Sequence, residues 1–204
     1  DKRIRYFYSK KFHNLYKARN LAIKKAKGKY ICFLDVDDQW KKNKIKDQLL
    51  SINNSNTFIV YSNFIMNNKV KKIKKKRSNS KLPEGKITQA LLNDYFLGIN
   101  TVMIPRNFFR NYKFNESYNI IGDFDLFLRL SLKYKFICVQ KTLAIYNFHG
   151  KNMSVIKLKL YIKELKNWIK INEKKFQKKY DFSNLKKYLF KLRLKDFFGL
   201  FVGV

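Results

Sequence analysis

The stretch KGKYICFLDVDDQW, residues 27–40, decides how the rest of the chain is read. Its apolar run from Tyr30 to Leu34 reads as a central strand, continuous and apolar, with Gly28 as the turn signal ahead of it. The run ends in Asp35, Asp37 and Asp38. Three carboxylates this close repel one another, and burying them uncompensated is costly, so they need a cation or many donors. The chain has 14 acidic residues against 46 basic ones, so gathering three acids at one strand exit requires a reason.

In an extended segment Asp35 and Asp37 point to the same side, with Val36 packing away from them. Two same-side carboxylates suit a divalent ion that keeps positions open for phosphate oxygens, the way magnesium or manganese is usually held. The competing reading makes Asp38 an N-cap for a helix beginning near Trp40, with Asp35 and Asp37 as solvated turn residues.

Outward from this stretch, strands and helices alternate. "IRYFY" (residues 4–8) reads as a short opening strand. A helix follows, with Leu15, Ala18, Ala22, Ile23 and Ala26 on one face and Gly28 as its stop. After the acidic cluster, "KKNKIKDQLLSI" is helical with Ile45, Leu49 and Ile52 on one face. "TFIVYSNFIM" is the next strand, and "KVKKIKKKR" (residues 69–77) reads as a solvated edge hairpin whose lysines discourage edge pairing. A short helix surrounds "ITQALLNDYF", and Pro105 stops the strand "NTVMIP". "DFDLFLRLSLKY" is an amphipathic helix, and "FICVQ" and "LAIYNF" are two late strands. From about residue 155 the pattern is helical and basic, with stripes at Leu158, Tyr161, Leu165, Trp168 and Ile169 and at Leu185, Tyr188, Leu189 and Leu192.

This alternation predicts an α/β layer structure with a mostly parallel central sheet flanked by helices. It puts the acidic cluster at a strand's C-terminal end, where open α/β sheets bind ligands. At 204 residues and 46% hydrophobic, the chain has material for one cored domain with an appendage. Its formal net charge of +32 predicts attraction to polyanions. Cys32 and Cys138 sit in apolar runs without metal-ligand spacing and read as free buried thiols. No membrane-spanning run appears; the terminal "FFGLFVGV" is too short.

Four ordered blocks carry a resemblance. "ARNLAIKKAKGKYICFLDVDDQW" resembles the central signature of the family 2 glycosyltransferases. "NTVMIPRNFF", "IIGDFDLFLRLS" and "YNFHGKNMS" resemble that family's later strand, its "ED-DLWLRL" helix start and its terminal "Y–H–N-S" segment. The resemblance implies the nucleotide-diphospho-sugar transferase (A-type glycosyltransferase) fold, lacking the first strands, with C-terminal helices added. It divides the chain into a catalytic domain at 1–154 and a basic amphipathic extension at 155–204.

It also implies roles. Arg19, Asn20, Asp35 and Asp38 would bind the donor nucleotide. Asp37 and His149 would hold Mg2+ or Mn2+ at the diphosphate, and Asp123 would be the catalytic base of an inverting transfer. Asp125 is the second candidate for that role, or an ion-pair partner of Arg129. At a helix N-terminus the dipole would keep Asp123 ionised.

Implied partners are a nucleotide-sugar donor and a glycan or lipid-linked acceptor in cell-envelope or surface polysaccharide synthesis, with no nucleic acid. The implied location is the cytoplasm. The basic C-terminal helices would either lie on the inner face of an anionic membrane or pack back on the catalytic domain. Gly122 departs from the family's usual Glu. Two other readings stand beside the enzyme: an inactive truncated remnant, and a basic nucleic-acid-binding protein, the latter opposed by the acidic cluster and the lack of any recognition motif.

Overall fold

A computed structural model describes residues 1–11, 13–52, 57–176 and 178–199. The elements run α1 (Leu15–Lys25), β1 (Tyr30–Cys32), β2 (Gln39–Trp40), α2 (Lys44–Ser51), β3 (Phe58–Asn68), β4 (Ile73–Lys76), α3 (Thr88–Asn93), β5 (Met103–Pro105), α4 (Gly122–Ser131), β6 (Lys135–Phe148), α5 (Met153–Ile156), α6 (Leu158–Phe176) and α7 (Ser183–Phe197). Residues 4–8 form no strand. Of the terminal apolar run, residues 200–204 lie outside the described residues.

The sheet order is β1-β5-β3-β6-β2, with β4 paired to β3. It is mixed rather than mostly parallel: β3 and β6 pair parallel, and every other pairing is antiparallel. The reason is connection length and strand insertion. The β3–β4 turn is too short for a crossover, and β5 slots between β1 and β3 against the direction of both. Since β5 opposes β1 and β3, the strands β1, β3 and β6 run the same way, so their C-terminal ends share one edge.

The two predicted late strands are one strand, β6. It stays paired to β3 through two register shifts flanking Asn63, where Gln140 and Lys141, and then Leu143, are the extra residues. Gln140 then uses both ends of its amide on the backbone of Leu82. The lysine-rich β4 is exposed along its whole length, as expected of a solvated edge hairpin.

Helix faces differ from the apolar-periodicity expectation. α1 buries Tyr16 and Arg19, while Leu15, Ala18 and Ala22 face outward. α2 buries Lys44 and Gln48 and exposes Ile45 and Leu49. The Lys44 ammonium donates to Gln48 Oε1 at 2.7 Å and lies 4.6 Å from the centre of the Trp40 ring, and Gln48 donates to the Thr101 carbonyl at 2.7 Å. Those partners offset the cost of burying a cation, though burial still lowers the pKa of Lys44.

The main core lies between the sheet and helices α1, α3, α4, α6 and α7. Phe124, Leu126, Phe127, Leu128 and Leu130 from α4 meet Leu165, Trp168 and Ile169 from α6 and Leu185, Leu189 and Leu192 from α7. The C-terminal helices therefore share one apolar cluster with the sheet domain. Cys32 and Cys138 are free thiols.

Candidate active site

The acidic stretch after β1 is a tight turn, not an extended segment: the Asp38 N–H donates to the Asp35 carbonyl at 3.0 Å. The turn tip leaves Val36 fully exposed instead of packed, and it separates the three carboxylates into different surroundings.

Asp35 is held by Arg19, whose guanidinium donates to Oδ1 at 2.6 Å. Arg19 is itself buried among the rings of Tyr16, Phe33 and Phe114, each 5.7 to 5.9 Å from its guanidinium carbon. It acts on the site by fixing Asp35. Asn20 is half-buried. Its amide exchanges a pair of hydrogen bonds with the backbone of Phe114, at 2.9 and 3.0 Å, tying α1 to the segment before α4.

Asp38 is buried. It accepts from Asn100 Nδ2 at 2.7 Å and from the Asn147 N–H at 3.0 Å, joining the turn to two distant segments. It caps no helix, since Trp40 lies in a strand and α2 starts at Lys44. Burial pushes its carboxyl up to about 6, and the neighbouring charges of Asp37 and Asp35 add to the rise.

Asp37 faces outward from the turn, and its Oδ2 lies 2.9 Å from Nε2 of His149. His149 follows β6, at the sheet edge where β1 also ends. The His149 Nδ1 accepts from the Lys151 N–H at 3.3 Å, which places the proton of the ion-free neutral ring on Nε2; an ion at Nε2 would need that proton moved to Nδ1 and the Lys151 contact released. Both side chains are about one-third exposed. Among the described residues no three His, Cys, Asp or Glu side chains gather to hold a metal ion. One carboxylate and one imidazole, both open to solvent, nevertheless fit an ion that takes its remaining ligands from diphosphate and water.

Asp123 sits in the first turn of α4, half-buried, with the phenols of Tyr95 at 3.4 Å and Tyr16 at 3.5 Å. Burial raises its pKa, and the Asp35 charge adds to that. The Arg19 charge and the N–H groups at the helix start oppose the rise without cancelling it. The dipole argument for a readily ionised Asp123 therefore loses to desolvation. Asp125 has another duty. It accepts from Arg129 at 2.7 and 2.9 Å and from Trp168 Nε1 at 3.0 Å, which leaves it buried and fully engaged. The other histidine, His13, contacts only Ser9 among its described side-chain partners.

Two residues missed by the sequence reading complete the cleft. The Tyr146 phenol on β6 has its pKa raised by burial first and then by the charges of Asp38, Asp37, Asp123 and Asp35. It accepts from Asn152 Nδ2 at 3.2 Å. Asn147, next along β6, holds the Asp37 carbonyl with its side chain and Asp38 with its backbone. The only sequence signal for either was membership of the "YNFHG" block.

The profile of "Glycosyl transferase family 2" matches residues 1–129. The amylovoran biosynthesis glycosyltransferase AmsB of Erwinia amylovora is 32% identical over 142 residues, covering 64% of this chain and 46% of AmsB. The E. coli enzyme WfaP, a UDP-Glc:alpha-D-GlcNAc-diphosphoundecaprenol beta-1,3-glucosyltransferase, is 49% identical over 47 residues, 23% of this chain and 19% of WfaP. This chain thus spans less than half the length of these relatives. S. aureus TarS 1-349, solved with UDP-GlcNAc, aligns with a TM-score of 0.50 at 14% identity over 76% of this chain and 47% of TarS, a likeness of fold alone. The fold is that of the A-type glycosyltransferases, and the chain belongs to glycosyl transferase family 2.

Proposed function

We propose that the chain carries the donor site and catalytic carboxylate of an inverting, metal-dependent glycosyltransferase of cell-envelope or surface polysaccharide synthesis. One observation carries this reading: Asp37 of the turn after β1 meets His149 at the end of β6 at 2.9 Å, while the lone Asp123 stands apart at the start of α4. The split between a metal-suited pair and a lone desolvated carboxylate matches the two jobs of the reaction.

Asp123 takes the proton of the acceptor hydroxyl as its oxygen bonds to the anomeric carbon. The bond from that carbon to the nucleoside diphosphate breaks, and the diphosphate leaves with the electron pair. A raised pKa makes Asp123 a stronger base once ionised. Asp37 and His149 would hold Mg2+ or Mn2+, which supplies positive charge to the departing diphosphate. Arg19 orients Asp35 toward the nucleoside, and Asp38 braces the turn. The WfaP name specifies a UDP-sugar donor and a lipid-diphosphate-linked acceptor; we take the same classes for this chain.

The test is nucleoside diphosphate release from a panel of nucleotide sugars, with and without Mn2+, by the wild-type chain and Asp123→Asn. Metal-dependent release that Asp123→Asn loses supports the reading. A folded chain that releases nothing from any donor overturns it for this chain.

A peripheral membrane contact at the cytoplasmic face belongs to the same proposal. Among the described residues no helix is long and apolar enough to cross a membrane. α6 spends its apolar stripe on the core, but α7 has a second, outward stripe at Phe190, Leu194 and Phe197, beside the exposed Lys187 and Lys191. That pairing suits an anionic lipid surface. Flotation with anionic vesicles should be lost in Phe190→Ser/Phe197→Ser; equal flotation of both proteins sinks the idea.

A further inference from the structure

The catalytic role proposed for Asp123 leaves open what holds it in place. α4 begins at Gly122, and Ile121 ahead of it offers no side-chain cap, so the donors of the preceding turn need partners from elsewhere. Glu164, buried on α6, supplies them. Its Oε1 accepts from the Asn119 N–H at 2.7 Å, and its Oε2 accepts from the N–H groups of Ile120 at 3.0 Å and Ile121 at 3.2 Å. Three consecutive peptide donors end on one carboxylate contributed from more than forty residues away.

The same loop is gripped from the other side. The Tyr16 phenol on α1 donates to the Ile120 carbonyl at 2.6 Å, so Ile120 is held at its N–H by α6 and at its C=O by α1. One turn along α6, Trp168 donates to Asp125 and meets Phe124 edge-on at 4.9 Å between ring centres. α6 thus contacts the backbone just before Asp123 and both side chains just after it.

Resting on the transferase reading above, we propose that Glu164 is a positioning residue. It fixes the 119–121 backbone that presents Asp123, which makes α6 a working part of the catalytic site and not an appendage to it. Displacing a reacting group by an ångström costs far more rate than binding, so losing Glu164 should affect turnover before donor affinity. Tyr95 and Tyr16 reach Asp123 with their phenols at 3.4 and 3.5 Å, and the charges of Arg19 on α1 and Asp35 in the turn after β1 act on it as well. Loosening the loop would admit water among them.

The experiment compares the full wild-type chain with Glu164→Ala, Glu164→Gln and the exposed α6 control Lys166→Ala. It reads amide exchange at residues 119–121, the carbon-13 titration of the Asp123 carboxyl, and kcat and KM for the donor found above. In Glu164→Ala the three amides should exchange at least about 10-fold faster. The Asp123 midpoint should fall toward the ordinary carboxylate value, and kcat should drop about 100-fold at unchanged KM. Glu164→Gln, which keeps one accepting oxygen, should fall between, and Lys166→Ala should match wild type. A folded Glu164→Ala with released amides but an unchanged Asp123 titration and kcat overturns the proposal. If the wild type turns over no donor, the transferase reading fails by that result, and the exchange and titration data alone decide the role of Glu164.

Discussion

The ring of Tyr16 fills the space that any side chain at Gly122 would need: a Cβ there would lie 2.6 Å from the ring carbons. The glycine that departs from the family's usual acid is therefore required by its neighbour. Gly122→Ala should destabilise the chain by about 1–3 kcal/mol through overpacking. In a Tyr16→Ala background the same substitution should cost well under half as much, since contacting residues couple. Urea unfolding of the four proteins measures this, and equal costs in both backgrounds would show that Tyr16 is not the obstacle.

Asp123 and Asp125 stand two residues apart on α4 and should separate by phenotype. Asp123→Asn should keep wild-type stability and lose transfer by about 100-fold or more. Asp125→Ala leaves the buried Trp168 N–H without its partner and removes the Arg129 ion pair, and should cost about 2–3 kcal/mol in unfolding free energy. With Asp123 as base, wild-type kcat should decline on the acid side with a midpoint above the usual carboxylate range, since the base must be ionised and burial raises its pKa. A pH–rate profile tests that limb.

Asp38 makes a separate prediction for the metal-free chain. Its folded pKa of about 6 lies above the ordinary aspartate value of 3.8, so between those values the folded chain keeps a proton that the unfolded chain has lost. Its contribution to stability is complete below about pH 4 and is lost as pH rises through about 6, on the order of 3 kcal/mol at most. Asp38→Asn should flatten this slope. The Asn100 amide can turn its otherwise unpartnered Oδ1 toward the new NH2 group. Unfolding free energy measured from pH 4 to 7 in both proteins checks the sign.

Much of the architecture was legible because it follows local rules. The run from Tyr30 to Leu34 announced a strand with acids beyond it, although β1 spans only Tyr30–Cys32 and lies at the edge of the sheet instead of its centre, and Pro105 and the α4 periodicity marked later elements where they occur. What failed was inference from apolar spacing on helices whose buried faces are polar. Lys44 and Gln48 face inward on α2 because Trp40 and the Thr101 carbonyl satisfy them, and no local pattern reveals partners that far along the chain. Arg19 is buried on α1 for the same kind of reason. In the site, motif blocks pointed to Asp37, Asp123 and His149, but not to Glu164 or Tyr16. Their roles arise when α6 and α1 pack on either side of residues 119–121. The parallel-sheet expectation failed because alternation of strands and helices does not disclose where β5 inserts.

The claim on which the account turns is that Asp37 and His149 form the metal side of a nucleotide-sugar site. Thermal unfolding of the purified chain with a panel of nucleoside diphosphates, each with and without Mn2+, tests it most directly, run alongside Asp37→Ala and His149→Ala. Ligand at about 100 times its Kd raises stability by about 2.7 kcal/mol. The melting temperature should rise with one diphosphate, and that rise should require the metal, disappear in Asp37→Ala and shrink in His149→Ala. A rise that is equal without Mn2+, or that survives in Asp37→Ala, would contradict it.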